Sequence, residues 1–456
     1  MVIASLCKVP KMNLLRVKDN SQYNKESFSS VAALTTRICD KTLEQLEHEG
    51  VFVFPDLVSD SEGLSANQMV LQTVNDKYRT ENVMGFFGLG DERIVIESRF
   101  SNNNGDYFLQ YMLERVLGMP SIVNFETDAN CENQLFNYLL FLFPRYLKAA
   151  MRKGPFKEYI RRSYNDGNVK GAIDVARHIE MNTPFVGKIA YTNRVFSFDN
   201  DLMELVRHTI EYIKAKPYGN KVLSTAKNEV MQVVEATESY KHSDKMKILE
   251  RSKKSPVRHA YYREYLALQR ICILILRHQM HQIGSGTRQI YGILFDGAWL
   301  WEEYVASLIG ESFHHPSNKL KRGGQRLFER GVGLIYPDFI NRDSSSRVIA
   351  DAKYKPVSNI GNHDYLQVLA YMFRFDAREG YYLYPEADEN DSLRLRMNSG
   401  STYEGDVQPR HDVSVIKHGL RIPVIASNYD DFASRMKVSE QEFSGPLTSP
   451  LAVETS

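Results

Sequence analysis

Two aspartates and a lysine are placed where they can work together. Asp338 follows Pro337, and thirteen residues later Asp351-Ala352-Lys353 sets a carboxylate and an ammonium two positions apart. Residues two apart on a strand share a face. A hairpin built from LIYPDFI and RVIADAKYK, turning at NRDSSS, therefore brings Asp338 up to the Asp351/Lys353 pair. Phosphodiester hydrolysis asks for such a set: hard oxygen ligands for Mg²⁺, with Mn²⁺ as a substitute, and a cation beside the attacking water and the phosphate. Asp338 and Asp351 are the expected metal ligands. Lys353, partly desolvated and close to that cation, is expected to have a lowered pKa and to orient or deprotonate the nucleophile.

The flanking elements must complete the shell. FDGAWLWEEYVASLIG reads as a helix in which Glu302 and Glu303 point about 100° apart, so one of them faces the hairpin; Glu302 is the expected ligand. On the helix over Asp364 to Phe375, Gln367 and Tyr371 lie four apart on one face, able to donate to a phosphate or hold the lysine, with Leu366, Leu369 and Phe373 expected to bury the other side. A core helix with two exposed polar residues is the plainer reading of that segment by itself. A lone PD followed by DxK occurs by chance in many chains. The weight lies in the order: helix with Glu, strand with PD, strand with DAKYK, helix with QxxxY.

Other signals carry less. Lys319, Lys321, Arg322 and Arg326 surround Gly323-Gly324 and form either a clamp on a DNA phosphate backbone or a solvated loop. The segment from Lys241 to Arg263, with Tyr261, Tyr262 and Tyr265, is open to the same two readings. His278 and His281 lie one helical turn apart without a third ligand, and His314-His315 precede a proline in a loop with no recognisable partner; neither pair is expected to act. No GxxxxGK[ST] phosphate loop occurs, so the chain is not a nucleotide-driven motor by itself. Nothing resembles a base-reading helix-turn-helix or zinc finger.

Composition bounds the rest. Fifty-seven basic against fifty-six acidic side chains leave a net charge of +1, so only local patches can argue for DNA. The four cysteines are scattered without metal-ligand spacing, and the N-terminus has no secretory h-region; both fit a cytoplasmic protein. The apolar runs Leu135 to Phe143 and Ile271 to Leu276 are too short for the ~20 residues of a membrane span, so no membrane partner is expected.

At 456 residues the chain should hold two or three domains. Short apolar strands over 50–100 followed by helical periodicity suggest an N-terminal α+β module over 1–133. A mostly helical connector over 134–285 follows, carrying a strand or hairpin insertion at GAIDVARHIEMNTPFVGKIAYTNRVFSFDN. Alternating strands and helices over 286–438 form a mixed sheet flanked by helices, and 439–456 has the composition of a disordered tail. The fold class is thus α/β and α+β, multidomain.

The C-terminal motifs resemble the PD-(D/E)xK nuclease superfamily, in its branch with a QxxxY helix. More narrowly, FDGAWLWEEYVASLIG, LIYPDFI, IADAKYK and DYLQVLAYMF, with NVMGFFGLGD, ESRF, DYFLQYML and GAIDVARHI upstream, resemble McrC, the nuclease subunit of McrBC and LlaJI-type restriction systems. The resemblance implies a restriction-endonuclease-like C-terminal domain, with Asp338, Asp351 and Lys353 catalytic and Glu302, Gln367 and Tyr371 supporting them. It also implies an N-terminal region that docks on an AAA+ GTPase which reads modified DNA. The usual aromatic-Glu pair stands here as Trp301-Glu302, with Glu303 beside it. Two other functions share the motifs: a stand-alone repair or recombination nuclease, and a regulatory subunit with a silent nuclease fold that stimulates a partner's nucleotide hydrolysis.

Overall fold

The computed structural model describes residues 13–55, 67–101, 106–117, 131–282, 290–316, 323–343, 347–387, 392–400 and 407–448, with 131–138 and 278–282 by backbone alone. It divides into two compact units, one made of Met1–Asn124 with Arg288–Ser456 and the other of Phe125–Thr287. The segments expected as separate modules over 1–133 and 286–438 thus fold as one unit, and the helical connector is an insertion into it.

The reason is a strand exchanged across that insertion. The first sheet contains β1 (Asn13–Lys18), β2 (Val51–Phe54), β3 (Val83–Leu89) and β4 (Glu92–Glu97), and its fifth strand is β5 (Tyr291–Asp296), in the order β1-β4-β3-β5-β2. β5 runs antiparallel to β3 and parallel to β2. Its residues are buried throughout, as a strand covered on both faces must be. Two glycines let β3 and β5 approach. A Cβ on Gly85, whose φ is +142°, would sit 2.0 Å from the Ile293 carbonyl oxygen, and one on Gly292 would sit 2.3 Å from that of Phe86. Val17, Leu34, Leu43, Leu46, Val53, Phe87, Ile94 and Leu294 form the core beneath.

A helix that precedes the inserted unit in the chain is α1 (Tyr107–Leu117), and from β5 the chain passes straight into helix α2. α2 (Gly297–Ile309) is capped by the Asp296 carboxylate, which accepts from the Ala298 and Trp299 amides. A second sheet follows: β6 (Phe313–His314), β7 (Phe339–Asn341), β8 (Val348–Ala352), β9 (Glu379–Glu386), β10 (Leu393–Ser399) and β11 (Gln408–Arg421), in the order β6-β7-β8-β9-β11-β10. It is mixed, with β7/β8 antiparallel and β8/β9 and β9/β11 parallel. Helix α3 (Asn362–Phe375) crosses from β8 to β9 and packs Val368, Tyr371 and Met372 on Ile349, Tyr382 and Tyr384.

Two expectations are corrected here. Leu366 is 70% and Phe373 90% exposed, because the face of α3 laid on the sheet is that of Asp364, Val368, Tyr371 and Met372, and these two lie on the opposite side; Leu369 is partly buried. The expected tail begins as helix instead: α4 (Tyr429–Thr448) runs ten residues past 438, burying Ser439, Glu440, Phe443 and Leu447. Glu440 accepts from the buried Tyr304 hydroxyl of α2 at 2.7 Å and pairs with Arg115 of α1. Composition suggested disorder, yet the apolar side chains fall at helical spacing and find a surface. Residues 449–456 lie outside the described residues.

The inserted unit is helical apart from an antiparallel sheet of Glu158–Asp166, Ile189–Ser197 and the short Ala172–Ile173, with a helix over Val175–Met181 between the last two in sequence. Among the described residues, no helix is long and apolar enough to cross a membrane, and Cys39 and Cys272 are free.

Candidate active site

The hairpin places the three expected residues together. The register Phe339↔Ala350 and Ile340↔Ile349, carried one step further, sets Asp338 opposite Asp351 at the end of the β7/β8 pairing. Opposed residues of an antiparallel pair share a face. The Asp338 carboxylate also reaches the neighbouring main chain, where Oδ2 accepts from the Ala352 amide at 2.9 Å. Lys353 continues β8 by donating its amide to the Leu383 carbonyl at 2.8 Å. Its ammonium lies 2.6 Å from Asp351 Oδ2, with the Asp351 side chain almost wholly buried.

The α3 residues meet the lysine. Lys353 Nζ donates to Gln367 Oε1 at 3.1 Å, and Gln367 Nε2 donates to the buried Tyr371 hydroxyl at 2.7 Å. Gln367 thus orients the ammonium, and Tyr371 orients Gln367. Two further groups join that were not singled out in the sequence. Asp364, one turn before Val368, lies 3.9 Å from Lys353 Nζ and binds Lys355 Nζ at 2.7 Å. The signal was present in DAKYK, whose two lysines share a strand face, and in the acid at the start of α3.

On the other side stands α2. Of the α2 acids, Glu302 adds its charge to the Asp338 carboxyl, and both Glu302 and Glu303 lie beside His315. His315, expected to be idle, is in the site. Its ring stacks on Phe339 at 4.8 Å, Nδ1 is 2.9 Å from the Asp338 carbonyl oxygen, and Nε2 is 3.7 Å from Glu302 and 3.9 Å from Glu303. Of the basic loop, Arg326 is exposed and donates to the Gly331 carbonyl, while Lys319, Lys321 and Arg322 lie outside the described residues.

The electrostatics follow from crowding acids in a desolvated corner. Burial, then the charges of Glu302 and Asp351, push the Asp338 carboxyl well above the usual carboxylate range. Burial also raises Asp351 against the pull of Lys353. Burial pulls the Lys353 ammonium down, but the Asp351 and Asp338 carboxylates outweigh it and hold the lysine protonated. That reverses the expected lowering, which presupposes a bound cation. His315 is raised likewise, since burial is outweighed by Glu303 and by the Asp338 carbonyl.

Among the described residues, no three His, Cys, Asp or Glu side chains form a metal cage. Mg²⁺ keeps several waters and binds through one or two carboxylates, and Asp338 and Asp351 are the two carboxylates that could hold it here. Burial raises both carboxyls, and at Asp338 the charges of Glu302 and Asp351 add to it, so a bound cation would relieve the cost of ionising them.

The family model of the McrBC 5-methylcytosine restriction system component matches residues 78–385, more than half of the chain. The chain belongs to the McrBC family. The matched segment runs from the first sheet through β9 and contains Glu302, His315, Asp338, Asp351, Lys353, Gln367 and Tyr371. No curated protein matches this McrBC-family chain. Among solved structures it is similar to a half-complex from the tetradecameric assembly of Thermococcus gammatolerans McrB AAA+ hexamers with bound McrC. There the identity is 12% and the TM-score 0.45, over 93% of this chain and 99% of that one. It is also similar to a cryo-EM structure of the Thermococcus gammatolerans McrBC complex, at 13% identity and a TM-score of 0.29, over 65% and 87% of the respective chains.

Proposed function

We propose that the second sheet is a PD-(D/E)xK nuclease core and that the chain is the Mg²⁺-dependent DNA endonuclease subunit of its restriction system. The observation that carries this is the convergence of Asp338 just before β7, Asp351 from β8 and the Lys353 ammonium at one corner of the sheet. Asp338 and Asp351 would hold the cation, and Glu302, beside Asp338, would add its negative charge to the set; Mg²⁺ or Mn²⁺, when bound, supplies polarisation of the scissile phosphate and a water of lowered pKa. Lys353, fixed by Gln367, presents its ammonium to the attacking oxygen and the phosphate. Tyr371 keeps the Gln367 amide in that orientation. The hydrolysis is an in-line displacement in which the attacking water would give its proton to solvent and form the new P–O bond as the bond to the 3′ or 5′ oxygen breaks, that oxygen taking a proton from solvent. The exposed Arg326, with Lys319, Lys321 and Arg322, supplies backbone contacts that read no sequence. On the restriction reading the chain works in the cytoplasm.

Specificity comes from a partner, an AAA+ GTPase of the kind that accompanies the McrBC family. The surface that best supports docking is on the inserted unit, where Ile173, Val175, Ile179, Met181, Phe185 and Val186 are each more than half exposed. An apolar group of that extent marks an interaction site. In the described part of 1–133, where docking was expected, the exposed large apolar side chain is Leu14.

The test is DNA cleavage by purified chain with and without the partner, nucleotide and Mg²⁺, with Asp338→Ala in parallel. Loss of cleavage in the variant, with stimulation of the partner's nucleotide hydrolysis retained, supports the proposal. Equal cleavage by the variant overturns it. Cleavage without partner and nucleotide assigns the chain to stand-alone repair nucleases instead, and stimulation with no cleavage by the native chain assigns it to silent regulatory subunits.

A further inference from the structure

We propose that His315 is a positioning residue that holds the main chain of the strand acid Asp338 and so sets the direction from which its carboxylate receives a divalent cation. The inference deepens the metal-site reading and rests on it. The tie begins in the strand register. β6 pairs with β7 as Phe313↔Asn341 and His314↔Ile340, so the next step sets His315 against Phe339, and the stacked rings, 24° from parallel, are what that register produces. A carbonyl oxygen only accepts, so the 2.9 Å contact to Asp338 requires the proton on Nδ1, which fixes the ring's tautomer or charge state at that nitrogen. Nε2 is thereby turned to the α2 carboxylates of Glu302 and Glu303.

His315 thus touches three pieces of the site: the main chain of Asp338, the ring of Phe339 and the acids of α2. The Asp338 side chain is pinned at Oδ2 by the Ala352 amide. With its own carbonyl held by His315, the residue is fixed at both ends, and the direction of Oδ1 is determined. Groups that orient a metal ligand in this way ordinarily change metal affinity by about 10- to 100-fold when removed.

The experiment is Mn²⁺ titration of the full chain, followed by electron paramagnetic resonance of the free ion, for native protein, His315→Ala, His315→Asn, His315→Gln and Asp351→Asn, each checked by thermal unfolding. The Asn amide occupies the place of Nδ1–H, whereas the Gln amide reaches that of Nε2. His315→Ala should weaken Mn²⁺ binding by about 10- to 100-fold, His315→Asn should recover most of it, and His315→Gln should not. Native affinity in His315→Ala overturns the inference, as does equal weakening in the Ala and Asn variants with melting unchanged. Should the Ala variant fail to fold, the Asn and Gln variants decide: stronger binding by Asn supports the tie, and equal binding overturns it. Native binding that survives Asp351→Asn overturns the metal-site reading and this inference with it, an outcome distinct from those that sink the role of His315 alone.

Discussion

At the scale of single residues, the site is a small circuit of charge in which Lys353 joins Asp351 to Gln367. Asp351→Asn and Lys353→Ala each remove several kcal/mol of charge stabilisation in the transition state, which at 1.36 kcal/mol per tenfold amounts to about 10³-fold in cleavage rate. Gln367→Ala loses one hydrogen bond to a charged group, about 1.5–3 kcal/mol, and should slow cleavage by about 10- to 100-fold. Single-turnover rates on one DNA substrate distinguish these values. Protons and metal compete for Asp338 and Asp351, whose carboxyls are both raised, so Mg²⁺ affinity falls as pH drops through that raised range. The acid limb of the cleavage profile should lie above the ordinary carboxylate value of about 4 and move to lower pH at higher Mg²⁺. A limb that ignores Mg²⁺ would contradict this. Asp338, Asp351 and Lys353 were legible in the sequence because strand periodicity alone aligns them. His315 was not, because a loop histidine gains its role only through the β6/β7 register, which joins segments separated by the basic loop.

At the scale of elements, helices were easier to find than to orient. The QxxxY spacing on α3 was readable, but which apolar residues met the sheet was not: Leu366, Val368 and Phe373 are equally apolar, and the β8-to-β9 crossover decides that Val368 goes inward. The end of the chain was misread for a related reason, since Ser, Glu and Pro content hides Phe443 and Leu447. Phe443 is 2% exposed, and Phe443→Ala should cost about 3–5 kcal/mol, read as a lowered denaturation midpoint. Truncation after Val438 should be worse, because it also removes Glu440 from the buried Tyr304 hydroxyl. A truncated chain with the native midpoint would return α4 to the status of a dispensable tail. Gly85→Ala should fail to fold in soluble form, since its methyl meets the backbone of β5.

At the scale of the whole molecule, local patterns described the pieces, and the connection between them came from a pairing no local pattern contains. The run YGILFD is a buried strand on its own evidence, yet its partners, β3 and β2, precede the inserted unit in the chain. The inserted unit carries the exposed apolar group around Val175–Met181 and Phe185. Ile179→Asp with Phe185→Asp should abolish co-purification with the AAA+ partner while leaving Mn²⁺ binding at Asp338 and Asp351 at the native level; retained co-purification would remove this surface from the account. The proposed hydrolysis requires a metal in the corner between β7 and β8. Anomalous diffraction from crystals soaked in Mn²⁺ measures that directly. The account predicts a peak bonded to the carboxylates of Asp338 and Asp351 that disappears in Asp351→Asn; a map with no peak there, or with the ion elsewhere, would contradict it.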